Sequence, residues 1–177
     1  MKKILFFILA MSLSFGLFFC RNDSSQKLIQ EHLLRTLKLS DSLKILDSLV
    51  NYYKVRDNKR AHYYAHRAMA LALGISSPEA LVKGHLLMGI VCRHDKNDSA
   101  FYFYNIAWNL AVMYKVVSLK SIVMYNIADL YIEAKNKEMG IQLLDSVIKL
   151  ASEANNFKMM SNAYNSLGNI RIDINEP

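Results

Sequence analysis

The chain has 177 residues, about one domain by length, and with only two prolines and six glycines against 53% hydrophobic residues it carries few obligatory breaks, which favours helices. Its formal net charge of +7 becomes +5 without Lys2 and Lys3 (20 basic against 15 acidic residues), and that excess is spread with no dense Lys/Arg stripe, so no nucleic-acid partner is expected. Two cysteines, Cys20 and Cys92, exclude a disulfide-stapled fold and leave packing to hold the core.

Met1-Lys2-Lys3 is a basic start, followed by sixteen uncharged residues from Ile4 to Phe19. At about 1.5 Å per residue these reach roughly 24 Å, short of a hydrocarbon core of about 30 Å. A basic start before a short apolar run fits an export signal better than a membrane span. The polar "RNDSSQ" follows at once. The stretch resembles a bacterial lipoprotein signal: Leu17 stands three residues before Cys20, as in that motif, while Phe18 and Phe19 occupy positions where small residues are usual. The resemblance implies a signal peptide over 1–19, lipidation of Cys20 and a polar tether over 20–27. The protein would then be exported and membrane-anchored, facing the periplasm or lying in the cell envelope. The other reading keeps the segment as an uncleaved signal-anchor with Cys20 buried.

Beyond the tether the sequence repeats. Aligning "RAHYYAHRAMALAL", "SAFYFYNIAWNLAV" and "MGIQLLDSVIKLAS" places small residues at Ala61, Ala100 and Gly140, and again at Ala72, Ala111 and Ala151. The intervals are 39 and 40 residues in both sets, and Ala68, Ala107 and Val147 keep them. A separate register, Gly89, Ala128 and Gly168, repeats the same spacing. Two registers with one period establish an internal repeat.

Apolar residues within each unit recur every three or four positions, the period of a helix face. Eight helices are expected, at about 26–38, 41–54, 59–73, 78–93, 98–114, 118–134, 138–153 and 157–172, with short joints that make neighbours antiparallel. In "GISSPEA", Gly74 reads as a helix end, Ser77 as an N-cap and Pro78 as the first helical residue. Asp98 or Ser99, and Ser40 or Asp41, read as further caps. Small residues are what close helix crossings require, because a larger side chain would push the backbones apart.

The pattern resembles the tetratricopeptide repeat family over roughly residues 41–172. Ala100, Tyr104 and Ala107 fit that family's second-helix motif, and Ile127, Ala128 and Tyr131 fit its first. The units are longer than the family's standard repeat, Gly140 and Leu144 replace an alanine and an aromatic, and Leu49 stands where a small residue is usual. The resemblance implies an all-α fold, a superhelical α/α solenoid of antiparallel pairs over 28–177, with about three pairs plus single helices at the ends.

Few residues announce chemistry. His62 and His66 stand four apart on one helix face, but no third ligand accompanies them, so they read as packed or solvated. Cys92 falls where the family packs an aromatic, which makes it a small buried hydrophobe, and its neighbour His94 points elsewhere. No nucleophile elbow, phosphate loop or HExxH is present, and neither enzymatic activity nor a cofactor is expected. In the family the first helices of each pair line a concave groove. Carried over, those positions are Lys83, Arg93, Tyr125, Asp129, Asn162, Asn165 and Asn169, groups able to hydrogen-bond a peptide backbone or pair with its charges. The expected function is a protein- or peptide-binding scaffold on a membrane. The alternative is the sensory front part of a longer regulator, because "SNAYNSLGNIRIDINEP" resembles a first helix with no second. That uncovered last helix also suggests self-association.

Overall fold

The computed structural model describes residues 39–75, 77–94 and 99–175, and these are helical almost throughout. The helices are α1 (Leu39–Tyr53), α2 (Asn58–Ile75), α3 (Pro78–His94), α4 (Ser99–Met113), α5 (Val117–Glu133), α6 (Lys137–Glu153) and α7 (Phe157–Asn175). The helix expected at 26–38, the signal segment, the tether and Cys20 lie outside the described residues. The fold is all-α, as the three- and four-residue periodicity predicts.

Each helix packs against the next in the chain, and further contacts join α1 to α3, α3 to α5 and α5 to α7. The small residues sit at the crossings. Ala61, Ala100 and Gly140 are buried, as are Ala68, Ala107 and Val147, and Ala72, Ala111 and Ala151. Gly89 shows why size matters there: a Cβ at that position would overlap the edge of the Tyr104 ring. At Gly140 it would lie 2.6 Å from Ile132 Cγ1. One core cluster joins α3, α4 and α5 through Val82, Leu86, Tyr104, Ala107 and Val123. A second joins α5, α6 and α7 through Ala128, Leu144, Val147, Ala163 and Leu167. Ile122 and Leu143 pack against both, so the apolar interior runs continuously between them.

The α3 start is as expected: Ser77 Oγ accepts from the Ala80 N–H at 3.1 Å, with Pro78 first in the helix. Two expectations need correction. Gly74 does not end α2, which runs on to Ile75, and among the described residues no glycine has positive φ. The stop comes from Pro78, which drives Ser77 out of helical conformation. Ser40 and Asp41 lie inside α1, which is already helical at Leu39.

The left-handed stops fall instead on Lys115, Lys135 and Asn155, with φ of 54°, 61° and 52°, spaced twenty residues apart. Each turn makes the same pair of bonds. Val116, Asn136 and Asn156 donate to the carbonyls of Ala111, Tyr131 and Ala151, while Lys115, Lys135 and Asn155 donate to Val112, Ile132 and Ser152. These are Schellman motifs, which satisfy the last carbonyls of α4, α5 and α6. Asn136 and Asn156 then start the next helices, accepting from the Met139 and Met159 N–H groups at 3.2 and 3.1 Å. One residue thus closes one helix and opens the next, which keeps the connections short.

Candidate functional site

The odd-numbered helices carry a chain of polar contacts that crosses from one to the next. Lys83 on α3 pairs with Asp47 on α1 at 2.8 Å. At the last turn of α3, Arg93 donates from Nη1 to Asp129 Oδ2 at 2.8 Å, and its Nε and Nη2 grip Glu133 at 2.7 to 3.1 Å. At the opposite end of the same helices, Ser118 on α5 donates to Glu79 on α3 at 3.4 Å. Contacts at both ends mean that α3 and α5 run side by side in the same direction. Tyr125 on α5 bonds Ser166 on α7 at 3.0 Å, hydroxyl to hydroxyl. The bonded partners lie 36 to 41 residues apart in the chain.

Arg93 is the centre of this arrangement. Burial disfavours its charge, but the hydrogen bonds and charges of Glu133 and Asp129 outweigh that and hold the guanidinium protonated more firmly than usual. Asp129 shifts the other way from what a simple pair would give. Its carboxyl is raised, because burial outweighs the attraction of Arg93 and the neighbouring Glu133 adds repulsion. The two directions agree once the sharing is counted: Arg93 has two carboxylates, whereas Asp129 has part of one guanidinium. Lys54, just past α1, is lowered by burial and then by the Arg93 charge. Behind the cluster, the buried Tyr104 phenol donates to Asn126 Oδ1 at 3.3 Å, and burial pushes its ionisation well above the ordinary range. Asn126 is itself tied to the Ile122 carbonyl at 2.8 Å.

The expected groove residues therefore divide into two groups. Lys83, Arg93, Tyr125 and Asp129 are brought together with protein partners on adjacent odd helices. Asn162, Asn165 and Asn169 lie on α7 at spacings of three and four, with Asn165 and Asn169 exposed and Asn162 half-buried. The sequence reading missed Asp47, Glu133 and Ser166. Each lies 36 to 41 residues from its partner, so opposite charges or hydroxyls at that offset were the available signal.

Other expected candidates have plain placements. His62 and His66 lie with ring centroids 6.3 Å apart on α2. Cys92 is buried. Among the described residues no group of three or more His, Cys, Asp or Glu side chains could hold a metal ion, and no helix is long and apolar enough to cross a membrane. Against models of known families, curated proteins and solved structures, the chain finds no match.

Proposed function

We propose that the helices form a tetratricopeptide-like α-solenoid that binds a protein or extended peptide along its odd-numbered helices, held to a bacterial membrane through lipidated Cys20. One observation carries the binding reading. The polar side chains of α1, α3, α5 and α7 bridge successive odd helices, so the face they form is already ordered before any ligand arrives. A preformed face reduces the ordering cost that binding would otherwise meet. The paired charges set the frame, and Asn162, Asn165 and Asn169 supply donors and acceptors for a peptide backbone.

The test is selection of random peptides against the full chain, followed by binding to a variant with all three asparagines changed to alanine. Selected peptides should lose at least tenfold in affinity, about 1.4 kcal/mol. Peptides that bind both proteins equally would overturn the assignment of this face. Intact mass of membrane-extracted protein tests the anchor. The reading requires cleavage before Cys20 and an acyl increment that disappears in Cys20→Ala.

A further inference from the structure

Two of the Schellman turns lie side by side at one end of the helices. α5 packs against both α4 and α6 across short turns, so the α4–α5 turn and the α6–α7 turn meet at the starts of α5 and α7. The α4–α5 turn differs from the others in what it exposes. Val112, Met113, Tyr114 and Val117 are all exposed there, Met113 at 68%. Phe157, 73% accessible, opens α7 on the neighbouring turn. The backbone does not require these side chains. Lys115, Lys135 and Asn155 make the same turn with the same pair of bonds, yet the residues before them are Tyr114, Ala134 and Ala154. Val116 packs against the core, which accounts for it. Packing gives no such account of Met113, Tyr114 and Val117.

The charges around these turns are mostly of one sign. From Ser99 to Ala128 the only charged residues are Lys115 and Lys120. Lys149 and Lys158 stand by the neighbouring turn, against Glu153 there and Glu79 at the start of α3, which already accepts from Ser118. Protruding apolar side chains, a tyrosine and lysines within a turn of them match the boundary between acyl chains and anionic headgroups. Apolar groups enter that boundary, a tyrosine keeps its hydroxyl at headgroup level, and a lysine lays its stem along the apolar part while its charge reaches a phosphate. A bilayer also deforms around a convex tip and needs no matching pocket. We propose that this end of the helices docks on an anionic lipid surface, Met113, Tyr114 and Phe157 entering the headgroup layer and Lys115, Lys120 and Lys158 pairing with lipid phosphates. The docking rests on the membrane location proposed above, but not on lipidation of Cys20. It stands the odd helices on the surface. Asp129 is twelve residues along α5 from Val117, about 18 Å, so the Arg93 cluster is held clear of the headgroups and open to a ligand from solution.

Fluorescence quenching tests it. Trp108 is the only tryptophan in the chain, so in a Trp108→Phe background Tyr114→Trp reports on this tip and Ala134→Trp on the equivalent position at the opposite end. Both positions are exposed, so neither change disturbs the packing. If Trp108→Phe lowers the helical signal, Trp108 is kept and each variant is read as its difference from the parent. The full chain is reconstituted into vesicles of phosphatidylcholine and phosphatidylglycerol carrying a nitroxide either near the headgroup or deep in the acyl chain. The tryptophan at 114 should be quenched about twofold or more by the shallow nitroxide, less by the deep one, while the one at 134 is unaffected. Lys115→Gln with Lys120→Gln, or vesicles of phosphatidylcholine alone, should weaken that quenching. Protein that stays with the vesicles but is unquenched at 114, or quenched alike at 114 and 134, would overturn the docking alone. Protein that does not stay with the vesicles would overturn the membrane location as well.

Discussion

Arg93→Leu is the substitution that most directly tests how the odd helices hold one another. It leaves Asp129 and Glu133 with no shared counter-ion, but unequally placed: the Asp129 side chain is 18% accessible, that of Glu133 54%. Removing one partner of a fully buried pair costs about 3–5 kcal/mol, whereas an exposed pair contributes under about 1 kcal/mol. Scaled for the water that reaches this site, the loss should be about 2–3 kcal/mol, mostly through Asp129. At 2–4 °C per kcal/mol for a domain of this size, the melting temperature should fall by about 4–12 °C. Asp129→Asn should cost less than about 1 kcal/mol, because Arg93 keeps Glu133 and a carboxylate held in its less favoured form is gone. The double variant should then recover about half of the Arg93→Leu loss, since no uncompensated charge remains inside.

Urea unfolding followed by far-ultraviolet circular dichroism measures all three, and pH adds an independent readout. A carboxyl whose folded value is raised binds protons more tightly folded than unfolded, so its charge works against the fold above that raised value. This penalty disappears as pH falls toward the ordinary carboxylate value of 3.8. The stability difference between Asp129→Asn and wild type should therefore move in the wild type's favour on acidification across that window. Equal losses for Arg93→Leu and Asp129→Asn, or a pH trend of opposite sign, would refute the uneven sharing of Arg93.

Three further substitutions probe the packing and the helix ends. Gly89→Ala should destabilise by about 1–3 kcal/mol despite alanine's better helix propensity, because its methyl group would enter the space of the buried Tyr104 ring; a melting temperature at or above wild type would contradict that. Lys135→Gly should stabilise by about 0.5–1 kcal/mol by relieving a left-handed lysine, which urea midpoints would resolve. Ser121→Ala should be neutral or stabilising in the same assay, because the Ser121 hydroxyl is buried without a hydrogen-bond partner among the described residues and a methyl group fits that environment; a loss above about 1 kcal/mol would reveal a partner.

What could be read from the sequence follows from what each feature demands of a residue type. A close helix crossing demands a small side chain, so the alanines and glycines at 61, 100 and 140 and at 72, 111 and 151 marked positions that are buried between the helices. A Schellman turn demands only a left-handed residue, and glycine merely adopts it most readily. At Lys115, Lys135 and Asn155 the carbonyl bonds and the flanking packing outweigh a cost of about 1 kcal/mol, so the composition carries no trace of the stop. Gly74 misleads for the converse reason: a glycine permits a left-handed turn without requiring one. The polar face was legible by position but not by partner. Lys83, Arg93, Tyr125 and Asp129 fall where a groove would lie, yet a charge that holds two helices together and a charge that awaits a ligand look the same in one dimension. Only distance separates them, and here the distances of 2.8 to 3.0 Å tie all four within the chain. Gly89 and Gly168 make the same point about apolar surfaces. They are one residue type in one register, yet among the described residues only Gly89 has a ring packed against it. A sequence pattern therefore identifies the kind of surface a helix presents, while the occupant of that surface is decided by which helix packs against it.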